Sequence, residues 1–160
     1  MKRYTGILIV VFIVILLTSC GKNYRLFVGG FTRNNGEKAM TVLDFNSRNG
    51  RLTEVATTDA GPSPSYFCYS EKNKIFYVLN EVMEFKGQFG GGLSTFRYDN
   101  ESVRFEKLNE MLIPYGGPCF ISLSADSSYL FLANYPNGSV AVVRLDEKGI
   151  PETITDTILT

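Results

Sequence analysis

Gly116-Gly117-Pro118-Cys119-Phe120-Ile121-Ser122-Leu123-Ser124, then Ala125-Asp126-Ser127-Ser128, then Tyr129-Leu130-Phe131-Leu132-Ala133-Asn134-Tyr135 is the stretch whose reading decides the fold. Two short runs rich in aromatic and aliphatic residues flank four small residues, three of them polar. Asp and Ser side chains bond nearby backbone groups and favour such a turn, so the stretch reads as strand, tight turn, strand. Pro118 suits the first position of a strand, where its missing N–H costs little.

The pattern occurs once before. Gly61-Pro62-Ser63-Pro64-Ser65-Tyr66-Phe67-Cys68-Tyr69-Ser70 leads through Glu71-Lys72-Asn73-Lys74 into Ile75-Phe76-Tyr77-Val78-Leu79-Asn80-Glu81. Pro64 and Pro118 stand 54 positions apart, and so do Asn80 and Asn134. Anchors at both ends of the unit share one offset, so the two copies align without a gap. An internal repeat outranks single-residue clues about fold.

Strands continue on both sides. Tyr24 to Phe31 is aromatic and apolar around Gly29-Gly30. Met40 to Asn46 and Arg51 to Thr58 flank an Asn49-Gly50 turn, a strong hairpin signal. Leu93 to Asp99 with Val103 to Asn109 repeats that hairpin, and Val140 to Asp146 starts it again before Thr153 to Thr160. Asn46, Asp99 and Asp146 occupy matching positions. The irregularity lies in Glu81 to Gly92, longer than its counterpart Tyr135-Pro136-Asn137-Gly138. No window shows helical periodicity. Each unit thus reads as four short strands repeating at roughly 50 residues, which is the signature of a β-propeller blade. The expected class is all-β, with two to three four-stranded antiparallel blades and an incomplete ring. The chain reads as the N-terminal part of a longer protein or a truncated copy.

The first residues are of another kind. Lys2-Arg3 precede an apolar run to Leu17, then Leu17-Thr18-Ser19-Cys20. The run is short for a membrane span and fits a secretory signal. Its last four residues resemble a bacterial lipobox. That resemblance implies cleavage before Cys20, a lipid on its sulfur and a place in the bacterial cell envelope. Residues 1–19 are then signal peptide, 20–23 a lipidated terminus and short linker, and 24–160 the partial propeller.

Charge is balanced, with 16 basic and 16 acidic residues, and loss of Lys2 and Arg3 leaves 16 − 2 = 14 basic ones. That offers no basic surface for nucleic acid. The expected membrane contact is the lipid on Cys20. Cys68 and Cys119 map three positions apart on equivalent strands, hence on opposite faces, so free thiols are expected. No Cys pair has metal-ligand spacing and the chain lacks His, so neither metal nor cofactor is expected.

At Gly61-Pro62-Ser63-Pro64-Ser65-Tyr66, Phe76-Tyr77-Val78-Leu79-Asn80-Glu81, Gly116-Gly117-Pro118-Cys119 and Ala133-Asn134-Tyr135, the sequence resembles the propeller-type lactonases, a family that includes bacterial 6-phosphogluconolactonases. Phe27-Val28-Gly29-Gly30-Phe31-Thr32 is similar to that family's first strand. The resemblance implies a seven-bladed ring with a channel site and a lactone or sugar acid as ligand. Carried over by position, Glu81 and Asn134 are the candidate catalytic residues, and Asn80, Cys119, Phe120 and Tyr135 the candidate channel residues. The family pattern places His after Pro-Cys. Here Phe120 stands in that position, and a phenyl ring cannot transfer a proton. The two readings are therefore a lactonase-like hydrolase, inactive as this stretch alone, and a non-catalytic envelope propeller that binds a ligand or protein partner. An unclosed end would expose an apolar face of Phe120, Leu123, Leu130, Leu132 and Val142 and favour self-association.

Overall fold

The computed structural model describes residues 22–32 and 40–159. The predicted signal peptide and Cys20 lie outside the described residues. Within them the chain is all β, in three successive antiparallel sheets. The first holds β1 (Asn23–Val28), β2 (Met40–Asn46) and β3 (Arg51–Thr58). The second is built from β4 (Pro64–Ser70), β5 (Ile75–Asn80), β8 (Gly91–Asp99) and β9 (Arg104–Ile113). Between β5 and β8 a small hairpin projects, β6 (Glu84–Phe85) and β7 (Gln88–Phe89). The third sheet runs β10 (Pro118–Leu123), β11 (Tyr129–Asn134), β12 (Ser139–Leu145) and β13 (Pro151–Leu159) in sequence order.

The repeat holds at the level of individual bonds. Pro64 pairs with Asn80 and Pro118 with Asn134. Each first strand then shifts register over one residue, between Pro64 and Tyr66 and between Pro118 and Phe120. The turn after each first strand is held by a serine. Ser70 Oγ accepts from Asn73 N at 3.2 Å, and Ser124 Oγ accepts from Ser128 N at 3.0 Å and Tyr129 N at 2.9 Å. Asn46, Asp99 and Asp146 each accept the N–H two residues on, at 2.9, 2.9 and 2.8 Å. A short side-chain acceptor two residues before an N–H closes a turn locally, which is why these positions recur.

Three expectations change. The first sheet has three strands, not four: β1 matches β5 and β11, and no strand stands inside it among the described residues. The strand expected from Val103 starts at Arg104 and runs on to Ile113, because Val103 has φ 54 and ends the turn instead. Leu130 and Leu132 do not belong to an open face. With Ile121, Ala141 and Val143 they are buried against Ile75, Tyr77, Leu79 and Leu93 of the second sheet, and Leu123 packs against that core. Side chains alternate along a strand, so the uncovered face of the third sheet falls to the other parity. Phe120, Tyr129, Phe131 and Val140 are exposed there.

A second core joins the first two sheets. Phe76, Val78, Phe96 and Tyr98 meet Met40 and Phe27, with Phe27 and Phe76 rings 4.6 Å apart. Sheet-to-sheet hydrogen bonds add direction to the apolar contact. Arg25, paired with Asp44 at 2.8 Å within the first sheet, also donates to Tyr98 Oη of the second at 3.0 Å. Tyr77 Oη donates to Gly149 O at 2.7 Å. Two glycines set the closest approaches: a Cβ on Gly29 would lie 2.0 Å from Pro64 O, and one on Gly91 would lie 2.2 Å from Pro118 Cδ. Each blade-opening proline therefore abuts a residue without a side chain in the preceding sheet.

Candidate functional site

The loops that enter the first strands and leave the second strands gather at one end of the sheets. Ser63 O accepts from Glu81 N at 2.9 Å, and 54 positions on Gly117 O accepts from Tyr135 N at 3.1 Å. Gly117 N also donates to Val82 O at 2.8 Å, which ties the second sheet's loop to the third's. Both entering turns need left-handed backbone at two matching places, Gly61 with Tyr115 and Ser63 with Gly117.

Asn80 and Asn134 hold these turns. The Asn80 amide donates to Ala60 O at 2.7 Å and Pro62 O at 3.0 Å, and its oxygen accepts from Ser94 Oγ at 2.7 Å. Asn134 donates to Pro114 O at 3.2 Å, the matching carbonyl, and to Ser139 Oγ at 2.8 Å. Both asparagines are buried. A buried amide satisfies turn carbonyls that water cannot reach, so identity is required at both copies. Asn134 Oδ1 has no partner among the described residues. The cause is one substitution within the repeat. Ser94 lies opposite Val78 and Ala141 opposite Leu132, so Ala141 occupies the place of the donating serine.

The remaining candidates behave differently. Glu81 and Tyr135 are repeat equivalents with the same backbone bond and unlike side chains. Glu81 is half-buried and carries no salt bridge among the described residues, while Tyr135 is exposed. Tyr66 and Phe120 are also equivalents. Their rings lie 5.4 Å apart across β4 and β10, and both are partly open to solvent. Tyr66 was not singled out by sequence reasoning, although the offset of 54 from Phe120 points to it. Cys119 sits in the register shift of β10, half-buried, with Sγ 3.6 Å from Ala133 O. Cys68 is the other free thiol, and burial pushes its pKa up to about 12.

Electrostatically this end is free of basic residues in its turns: residues 59–63, 81–83, 114–118 and 135–138 contain neither Lys nor Arg. The adjacent hairpin carries Lys86, which pairs with Glu110. Burial pushes the Glu110 carboxyl up, but hydrogen bonds from Lys86 and Lys107 outweigh it and hold its pKa below the ordinary value. Phe85 anchors that hairpin, buried over Gly92.

A radial series of antiparallel sheets with its loops gathered at one end is the architecture of a propeller. Residues 25–159 match the family described as Lactonase, 7-bladed beta-propeller, and the chain belongs to this family. It is 26% identical over 126 residues to the 6-phosphogluconolactonase of Bacillus subtilis, covering 79% of this chain and 34% of that protein. The 6-phosphogluconolactonase of Formosa agariphila is 25% identical over 124 residues, covering 78% and 34%. The chain thus spans about a third of the length of these curated relatives. Among solved structures, the Pseudomonas aeruginosa periplasmic gluconolactonase PpgL superposes with a TM-score of 0.73 at 29% identity, over 86% of this chain and 39% of PpgL. A Bacteroides fragilis structure, at 23% identity and a TM-score of 0.75 over 89% of this chain and 38% of its own, bears out the fold.

Proposed function

We propose that this chain supplies one arc of a site that opens a sugar lactone, and that the lactone is unphosphorylated. The observation that carries the reading is Glu81. The repeat fixes its backbone as it fixes that of Tyr135, yet a carboxylate stands at one copy only, at the loop end, without an ion-pair partner among the described residues. In the proposed step Glu81 accepts a proton from the water that attacks the lactone carbonyl. The ring C–O bond breaks and the proton passes to the departing hydroxyl. Asn134 holds the turn that presents Tyr135, since both of its amide protons are engaged. The turns without Lys or Arg favour a neutral sugar, and the likeness to a periplasmic gluconolactonase supports the same choice. An anchor on Cys20 would place the site at the cell envelope. Replacing Cys20 with Ala should abolish palmitate labelling, and unchanged labelling would refute the anchor.

Because relatives are about three times longer, the site is tested in a complete ring. Residues 25–159 are grafted in place of the matching segment of the Pseudomonas aeruginosa gluconolactonase, and δ-gluconolactone opening is followed in a pH-stat. The graft should turn over, and Glu81→Gln should lower kcat about 100-fold, the low end of general-base effects, with an unchanged melt. Phe120 in place of the family's His supports the second reading, a binding module. A folded graft that binds the lactone by calorimetry without turnover, even after Phe120→His, would establish that reading. A folded graft that does not bind removes both.

A further inference from the structure

The second sheet lies between the other two, and its two faces pack on neighbours within the chain. Of the large apolar side chains in its four strands, Tyr66 alone is exposed, at 43%. An open end of the arc does not account for this, because the sheets on either side are present. Tyr66 stands on β4, the first strand of its sheet, directly after the register shift behind Pro64, and β4 runs beside β10, the first strand of the third sheet. Its repeat equivalent is Phe120, again aromatic and again just past the shift. The two rings lie 5.4 Å apart, tilted by 43°. That contact holds one side of the Tyr66 ring and leaves another side open to solvent. Tyr66 is also near Glu81. It pairs with Leu79 across the sheet, and Glu81 is two residues beyond Leu79. Two residues of extended strand cover about 7 Å. Ser63 O accepts from Glu81 N, so the chain keeps its course beside the start of β4 over that step.

We propose that Tyr66 is the platform on which the lactone ring rests, its carbonyl toward Glu81, a reading that rests on the lactone site proposed above. An aromatic ring has a negative face. The C–H bonds of a saturated six-membered ring carry slight positive charge, and a sugar lactone turns several of them to one side. Sites for small molecules combine an apolar plane of this kind with a few polar groups that fix orientation. Here the plane is Tyr66, the polar group is Glu81, and the neighbouring turns hold no Lys or Arg to draw the ligand elsewhere. The role is binding and orientation: the face of the ring is used, and its hydroxyl takes no part in proton transfer. Phe120 keeps the Tyr66 ring in place from the side.

The test uses the complete-ring graft of residues 25–159 with δ-gluconolactone. Tyr66→Ala should raise KM about tenfold, the scale of one aromatic contact, with kcat held within about twofold. Tyr66→Phe keeps the ring and should leave both constants unchanged. Tyr66→Leu still packs on Phe120 but offers no plane, so KM should rise as in Tyr66→Ala while the melt stays that of the graft. If the graft binds without turnover, the same rise is read in Kd by calorimetry. An unaltered KM in Tyr66→Leu overturns the platform and leaves the lactone site standing. So does a fall in kcat at constant KM, which would make Tyr66 part of the chemistry. A loss in Tyr66→Phe equal to that in Tyr66→Ala also overturns it, because the effect would then belong to the hydroxyl. A folded graft that neither binds nor opens the lactone removes the lactone site and the platform together.

Discussion

The second and third sheets share a plan and differ in two places. Both open on a proline, shift register over the next residue, close their turn on a serine and clamp the entering loop with a buried asparagine. They differ in the hydroxyl that supports the asparagine, Ser94 against Ala141, and in what lies in front of them. The second sheet's Tyr77 is buried and bonded to Gly149 O; its counterpart Phe131 faces outward with no hydroxyl. The comparison teaches that the clamp belongs to each repeat, whereas burial of the forward face belongs to the neighbour. It also separates scaffold from candidate chemistry. Asparagine is retained at both copies because a turn depends on it, while Glu81 and Tyr135 differ over the same backbone bond.

The largest expected effect breaks the clamps. Asn80→Ala removes three hydrogen bonds, two of them buried, and leaves two carbonyls and a hydroxyl without this partner, so it should cost about 3 kcal/mol. Asn134→Ala, with fewer bonds to lose and an oxygen already unpartnered, should cost about half as much, roughly 1.5 kcal/mol. Urea unfolding of the two variants measures the difference, and equal losses would show that Ser94 contributes nothing.

Next comes the inter-sheet bond. Tyr77→Phe leaves Gly149 O buried without its donor and should cost about 1–2 kcal/mol. Phe131→Tyr adds a hydroxyl to an exposed ring and should fall within about 0.5 kcal/mol of the unaltered chain, as surface changes do. A comparable loss from both would mean that the forward face of the third sheet is already covered in solution.

Ala141→Ser should sharpen the likeness by restoring a donor to Asn134 Oδ1, with a gain of about 1 kcal/mol. Adding Ser94→Ala to the second sheet should lose a similar amount. If Ala141→Ser destabilises instead, the hydroxyl is misdirected and the two clamps are less alike than their positions.

The smallest effect at neutral pH concerns the groups that burial holds protonated. Cys68 and Tyr77 are each raised to about 12, above their ordinary values of 9.0 and 10.0. Between the ordinary and the raised value the unfolded chain has lost the proton and the folded chain keeps it. Stability therefore falls as pH rises through that window and is unaffected below it. Thermal melts from pH 7 to 11 should be flat to about pH 9 and then decline. Cys68→Ala should make the decline shallower, and an identical slope in that variant would show that the thiol is not sheltered.

The sequence by itself determined the repeat, the hairpins and the turn positions. Ser70 with Ser124, and Asn46 with Asp99 and Asp146, act on N–H groups a few residues away, and such local chemistry is written in the order of residues. The offset of 54 likewise located both clamps, although only the structure identified Ala60 O and Pro114 O as what they hold. Tertiary structure alone decided which parity of each strand is covered. Leu130 and Phe131 are neighbours of similar apolar character, yet Leu130 is buried under the second sheet and Phe131 meets solvent. Alternation tells that a strand has two faces, and only the neighbouring sheet tells which one water has left. The same reason explains Gly29 and Gly91. In sequence Gly29 reads as part of the first strand-like run and Gly91 as a loop residue; in the fold their missing side chains let one sheet reach the opening proline of the next.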